Sequence, residues 1–430
     1  MKLLDYNKNI RIIEENNSVV IINPDNKSWV KINKDFYDSN INDNSINNKL
    51  FLSLIKYKII GEYKNNNEKK FNSIYYAITK KCNMSCDFCS MRSNPNIDTN
   101  NDLSIEEIQL NIIPKLIEFS PKRLIITGGE PLIRSDFRYI VDLLYKNLNN
   151  TKLILQTNGL LLNKEIIQSI KGKIVAIDIS IENIFDNQNL YNQMINVFNN
   201  LKENNIDICF SYVINNKNKK YIKYAIDLVE KYDTNLSLKL VSPVGYALDN
   251  NSDYLDNYNL LNLYKEISEY IIEKKYKSKG LLDLIYTFLR PRKNCCAYGE
   301  MLSIYPDGKI FMCHSMPKKD FELGNIKTTP PSKLYTNLDE NTSKENIKKL
   351  FIVDNMDICN DCSAKYFCSG ICAADKINCN NIERLTITCT IRKIIINYIL
   401  FYYNEKYSLI DNYRMFLSQV NLKLKEYRNA

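Results

Sequence analysis

The chain has 430 residues, of which 45% are hydrophobic and 25% charged, values that exclude wholesale disorder and a small disulfide scaffold. At about 150 residues per domain the length implies two or three domains. The formal charge of +9 comes from Lys residues scattered among Asn, Ile and Tyr, the pattern of a solvated surface and not of a nucleic-acid patch.

The N-terminus, MKLLDYNKNI, has no apolar run, and the longest apolar span, 394–403, is broken by Asn397 and too short for a bilayer. A cytoplasmic protein without membrane contact is therefore expected. In that reducing compartment the 13 cysteines are expected to bind metal or do chemistry, not to form disulfides.

Residues 1–70 read as a small α+β domain. Short strands are predicted at 10–14, 19–24 and 29–32, with a turn at Pro24-Asp25-Asn26 and two helical stretches ending near Gly61; the Asn-rich segments 40–48 and 65–70 read as linkers. From there the pattern changes. Six β-like runs, Ser73–Thr79, 123–127, 153–156, Ile174–Ser180, 206–213 and 236–241, alternate with helical patterns at 135–149, Lys164–Ile170, 189–204 and 219–232. Another helix opens at Ser104-Ile-Glu-Glu107, a capping-box signature. Six strands alternating with helices predict an α/β fold of parallel βαβ units, with the site in the loops after the strands. Cys209, inside the fifth run, reads as a small buried hydrophobe.

The loop after the first strand reads Cys82-Asn-Met-Ser-Cys86-Asp-Phe88-Cys89. Three thiolates on one loop cannot complete a tetrahedral four-ligand site. They suit three corners of a [4Fe–4S] cube, or a zinc site with a distant fourth ligand. After the second strand comes Gly128-Gly129-Glu130-Pro131, where glycines allow close approach to the backbone. The last third carries Cys295, Cys296, Gly308 and Cys313, then Cys359-x2-Cys362-x5-Cys368-x3-Cys372, then Cys379 and Cys389. That density reads as metal-binding, with zinc as the alternative to iron–sulfur.

In this order, and at the ends of consecutive predicted strands, C-x3-C-x-aromatic-C and GGEP resemble the radical SAM superfamily. The resemblance implies a partial (β/α)6 barrel over 71–248, joined by a helical linker (249–289) to a Cys-rich domain (290–392) and a C-terminal helical tail (393–430). Cys82, Cys86 and Cys89 would hold the cluster that binds S-adenosylmethionine. Phe88 would lie against the adenine, Gly128, Gly129 and Glu130 at the methionine end, and Asn158, Ser180 and Glu182 near the nucleoside. Pro243-Val-Gly245-Tyr-Ala is similar to a further family stretch.

The C-terminal spacing resembles the SPASM extension, which implies two auxiliary [4Fe–4S] clusters and three in all. Cys296, Cys313 and Cys372 would serve the first; Cys359, Cys362, Cys368 and either Cys389 or Cys379 the second. No cysteine stands in the stretch 286–294, and Cys295 adjoins Cys296, so the first auxiliary cluster is expected to keep an open iron able to take a substrate thiolate. His314, the only histidine, stands where sulfatase-oxidising relatives place an Asp, and is a candidate base.

The resemblance implies an enzyme that matures a ribosomally made precursor peptide by hydrogen abstraction and intramolecular cross-linking. A Cys-to-carbon thioether is the first expectation, then carbon–carbon or carbon–oxygen cross-linking, then sulfatase-type oxidation. The expected partners are the precursor with its leader segment and a flavodoxin- or ferredoxin-type electron donor. Residues 1–70 are similar in element order to a winged-helix peptide-recognition element that binds a leader at its sheet edge.

Overall fold

A computed structural model describes residues 10–42, 45–46, 48–61, 71–249 and 254–429. The Asn-rich segment 65–70 lies outside them. Strands β1 (Arg11–Glu15), β2 (Ser18–Asn23) and β3 (Ser28–Asn33) form an antiparallel sheet. Helix Lys34–Ser39 follows, capped by the Asn33 side chain, then a short hairpin, β4 (Ile41–Asn42) with β5 (Ser45–Ile46), and helix Asn48–Lys56.

The run Ser18–Asn23 is apolar on both faces because both are covered. Val19 and Ile21 pack with Leu50, Leu54 and Ile59, while Val20 and Ile22 pack with Leu289, Val353 and Phe367 of the Cys-rich region. Strand β1 is tied to that region too, its Arg11 guanidinium donating to the carbonyls of Asn360 and Cys362. The N-terminal unit thus sits against the Cys-rich domain.

The main sheet has nine strands, and six of them are parallel and in sequence order: β6 (Ser73–Thr79), β7 (Arg123–Gly128), β8 (Lys152–Thr157), β9 (Ile174–Ser180), β10 (Asp207–Ile214) and β11 (Asn235–Leu240). Helices cover their outer face, where Ile74, Tyr76, Leu124, Ile126, Leu153 and Leu155 join one continuous core. This is the expected partial barrel, each strand within one or two residues of its predicted run. The Ser104–Glu107 capping box forms with both reciprocal bonds. The helix behind it widens into a π-turn at Ile108–Ile112, just before Pro114, which has no N–H to continue the regular ladder.

Two departures matter for the site. Strand β12 (Met301–Ile304) pairs parallel with β6 and carries the hairpin β13 (Lys309–Phe311) and β14 (Glu322–Asn325), so the barrel sheet runs into the Cys-rich region. The helical tail is also longer than predicted. Helix Ile382–Phe401 begins at the Asn381 cap, includes Cys389 and continues through 392–393; Leu409–Asn429 follows.

Candidate active site

The C-terminal ends of the barrel strands converge on the first cysteine loop. Its path is fixed by backbone bonds from Cys82 N to Asn94 O (3.2 Å) and Cys89 N to Cys86 O (3.1 Å). Cys82 is buried, Cys86 and Cys89 half-buried. The loop itself and its neighbour after β9 donate to the sulfurs: Ser93 N to Cys89 (3.4 Å) and Asn183 Nδ2 to Cys86 (3.4 Å). Burial, with the Glu182 carboxyl and the other two thiols adding, pushes Cys86 up to about 12. Such a set ionises together only around a compensating cation. Among the described residues no three or more His, Cys, Asp or Glu side chains are grouped to hold a single metal ion. A cube takes its thiolates at separate corners, and three thiols on one loop suit three of them.

Gly128 and Gly129 turn out to shape the loop itself. Gly128 has φ +147°, and a Cβ there would stand 2.2 Å from the Thr79 carbonyl oxygen; at Gly129 it would meet Lys81 O at 2.2 Å. Their absent side chains let Gly129 N and Glu130 N donate to Thr79 O and Lys81 O, at 2.8 and 2.9 Å. Glu130 is fully buried and accepts from Leu132 N, Thr157 Oγ1 and Asn158 N at 3.1, 2.7 and 2.8 Å. It fastens the end of β7 to that of β8. Asn158 donates to Asn83 Oδ1 (2.7 Å), bridging to the cysteine loop.

Phe88 is half-buried, as is Ser180 at the end of β9. Glu182 is buried, its Oε2 has no partner in the protein, and burial raises it to about 7. An orphaned acceptor beside three thiols and a glycine-tightened loop fits a polar, cationic small molecule. Residues the sequence reading missed include Asn183, next to Glu182, and Tyr246, whose hydroxyl accepts from Asn94 Nδ2 at 2.9 Å. Gly245, with φ +60°, lets Tyr246 N reach Cys89 O at 3.0 Å.

The C-terminal thiols fall into two sets. Cys295, Cys296, Cys313 and Cys372 raise or lower one another. The Cys295 thiol bonds to the Cys296 sulfur, which raises Cys295 and lowers Cys296. Burial pushes Cys313 up to about 12, and Cys372, exposed towards a cavity, to about 11. The second set is Cys359, Cys362, Cys368 and Cys389, with Arg392 Nη1 3.7 Å from Cys368 Sγ. Cys379 stands apart, its thiol directed to Asn381 O. The turn at 295–298 closes with Tyr298 N on Cys295 O and keeps the Cys295 and Cys296 thiols side by side.

His314 is half-buried, its ring 4.4 Å from that of Tyr75, and its Nδ1 has no partner in the protein. Burial, then the nearby Lys239 charge, lowers it to about 4, so it is neutral at physiological pH. Cys209 also departs from expectation. Strand alternation sends Phe210 and Tyr212 into the core and leaves Cys209 half-buried near Asp178, Lys239 and Asp283.

The family model for the Radical SAM superfamily matches residues 76–229. Residues 76–229 are thus a radical SAM domain, and the chain is an enzyme. It uses S-adenosylmethionine and iron–sulfur chemistry. This radical SAM chain is 25% identical over 381 residues to the radical SAM cyclopropyl synthase TigE of Paramaledivibacter caminithermalis, covering 78% of this chain and 77% of that protein. Among solved structures it is similar to anSMEcpe with bound AdoMet, at 15% identity and TM-score 0.56, over 83% of this chain and 99% of that one. It is also similar to Streptococcus suis SuiB bound to its precursor peptide SuiA, at 13% identity and TM-score 0.52, over 88% and 97% of the two chains. These two likenesses establish the fold. No helix among the described residues is long and apolar enough to cross a membrane.

Proposed function

We propose that this radical SAM enzyme matures a ribosomally made peptide, taking a hydrogen from one residue and closing an intramolecular bond to that residue's carbon. The observation that carries the reading is a cavity of about 1120 Å³ beside the barrel, reached by Cys372 of the first auxiliary set and by Cys368 of the second. That volume lies above the range usual for small-molecule pockets.

Cys82, Cys86 and Cys89 are assigned to the primary cluster. Cys295, Cys296, Cys313 and Cys372 are assigned to a second, and Cys359, Cys362, Cys368 and Cys389 to a third. Phe88, Asn158, Ser180 and Glu182 are assigned to the S-adenosylmethionine side, with Gly128, Gly129 and Glu130 shaping it. When bound, S-adenosylmethionine and its cluster supply a 5′-deoxyadenosyl radical. The barrel wall then has to aim the substrate carbon and exclude water. Closing the bond releases one further proton and one electron: His314, neutral and with an open Nδ1, is the proposed proton acceptor, and the auxiliary clusters, when bound, would supply the electron acceptor. A flavodoxin- or ferredoxin-type protein is the proposed electron donor, and the edge of the N-terminal sheet at β3, unpaired among the described residues, the proposed leader site.

Between the bonds weighed from sequence, carbon–carbon closure now has more support than the thioether. The thioether rested on an open iron, and the Cys295 thiol beside Cys296 is here assigned as a fourth ligand at that place. The relative TigE is named for making a cyclopropyl group, a carbon–carbon product. The test is intact mass. A precursor peptide encoded beside the gene is incubated without air with enzyme, reductant and S-adenosylmethionine, then alkylated. Loss of two hydrogens with every thiol still alkylated supports carbon–carbon closure. The same loss with one thiol blocked restores the thioether, and no mass change with abundant 5′-deoxyadenosine rejects that peptide as the substrate.

A further inference from the structure

The cavity carries an unbalanced charge. It lies between β11, the segment 283–292 and the helix Ile382–Phe401. Some of its cations are committed. Arg392 faces Cys368, Arg384 lies over the Tyr254 ring, Arg292 adds its charge beside Cys295 and Cys296, and Lys27 is paired with Glu300 at 3.4 Å. Others are not. Arg123 and Lys239 reach only hydroxyls, Ser73 Oγ at 3.0 Å and Ser211 Oγ at 3.2 Å. Arg290 is exposed, and among the described residues no carboxylate lies within ion-pair distance of any of the three. The remaining anions of the lining are Asp283 and Asp375, and Asp375 already accepts from the Ser242 hydroxyl.

The helix Ile382–Phe401, which also brings Arg384 and Arg392 to the lining, adds an apolar row. Ile387, Ile391 and Ile395 recur every four residues along the helix and line the same space, and Phe288, 83% exposed, stands in it too. A groove with one charged side and one apolar row suits an extended chain whose side chains alternate in character. Low-dielectric walls concentrate the field of the uncommitted cations, favouring anions over cations at the entrance.

We propose that the cavity receives an acidic peptide segment, its carboxylates against Lys239 and Arg290 and its apolar side chains along the isoleucine row. This deepens, and rests on, the peptide-maturase reading. The test is fluorescence anisotropy on the cluster-loaded full chain with two labelled octapeptides, alternating Glu–Leu and alternating Lys–Leu. The acidic probe is expected to bind about tenfold tighter or more at low salt, and to lose that preference at about 0.5 M NaCl, where the Debye length falls to a few ångströms. Arg290→Glu should weaken the acidic probe about fivefold, a loss of about 1 kcal/mol. Lys239→Glu should do the same, and Lys146→Glu on the outer face of the barrel should not. Equal binding of both probes, or equal weakening by Lys146→Glu, overturns the proposal. Because Lys239 lies near Glu182, Arg290→Gln with unchanged iron content is the companion variant. 5′-Deoxyadenosine formation without peptide is measured in parallel; if it persists while the charge preference fails, only the cavity inference falls.

Discussion

The barrel thiols and the C-terminal thiols are held in different ways. Cys82, Cys86 and Cys89 sit on one loop, and that loop is pinned from outside by neighbouring strand ends: two glycines, Asn158, Asn183 and the Gly245 turn. The C-terminal sets are assembled from distant pieces, a turn at 295–298, a hairpin bearing Cys313, short turns around 359–372 and a long helix that brings in Cys389. The first arrangement concentrates its ligands and disperses its supports. The second disperses the ligands, so each support is local. Removing a support should therefore harm the barrel site more than removing one hydrogen bond harms either C-terminal set.

The largest effect expected is from Cys86→Ala. It should abolish 5′-deoxyadenosine formation and, on the proposed three-cluster assignment, lower iron by one cluster's worth while leaving the visible absorbance of the other two. Next is Gly245→Ala. Its left-handed φ and a Cβ 2.2 Å from Cys89 O should cost about 2–4 kcal/mol of stability, read as a thermal midpoint, with iron loss from the barrel site. Gly172→Ala is the contrast. Its φ is +73° with nothing within 4 Å, so about 1 kcal/mol is expected and no iron loss. Third, Cys295→Ala should change iron content and the spectrum of one auxiliary cluster, whereas Cys379→Ala should change neither. If both are silent, Cys295 only donates to Cys296.

A smaller effect concerns pH. Burial raises Glu182 from the usual carboxylate range to about 7, so the folded chain prefers the protonated form. That preference favours folding at low pH and is lost as pH rises through about 7. Glu182→Gln should therefore gain on wild type between pH about 5 and about 8 in thermal midpoint, most clearly without S-adenosylmethionine. The smallest change expected is from Asn183→Ala, about 1 kcal/mol or less from one lost bond to Cys86 sulfur.

What could be read beforehand followed the same division. The strand–helix rhythm and the two motifs at consecutive strand ends are local, and the structure placed them where their spacing implied. The choice between Cys379 and Cys389 was not local. It turned on where the last helix begins, and Thr386 and Thr388 hid its first three turns from a reading based on apolar period. The contact of the Cys295 and Cys296 thiols was not legible either, because it depends on the turn at 295–298. Cys209 was misread because an apolar run was taken as buried on both faces. In a partial barrel one face of the strand looks into the lumen, where polar groups and a cofactor can stand. The N-terminal run Ser18–Asn23 misled in the opposite sense, since its second covered face belongs to a region more than 250 residues away.

One pairing has a consequence for how the molecule can be divided. Strand β6 opens the barrel and would otherwise be its bare edge, with a row of unmet N–H and C=O groups. Strand β12 covers that edge, and it comes from the far side of the helical linker. A barrel expressed without residues beyond 289 would present that edge to its neighbours, an invitation to strand-to-strand aggregation. The Cys-rich region is thus no detachable cassette. It seals the sheet that carries the first cysteine loop, and any attempt to transplant either part must take β12 along with β6.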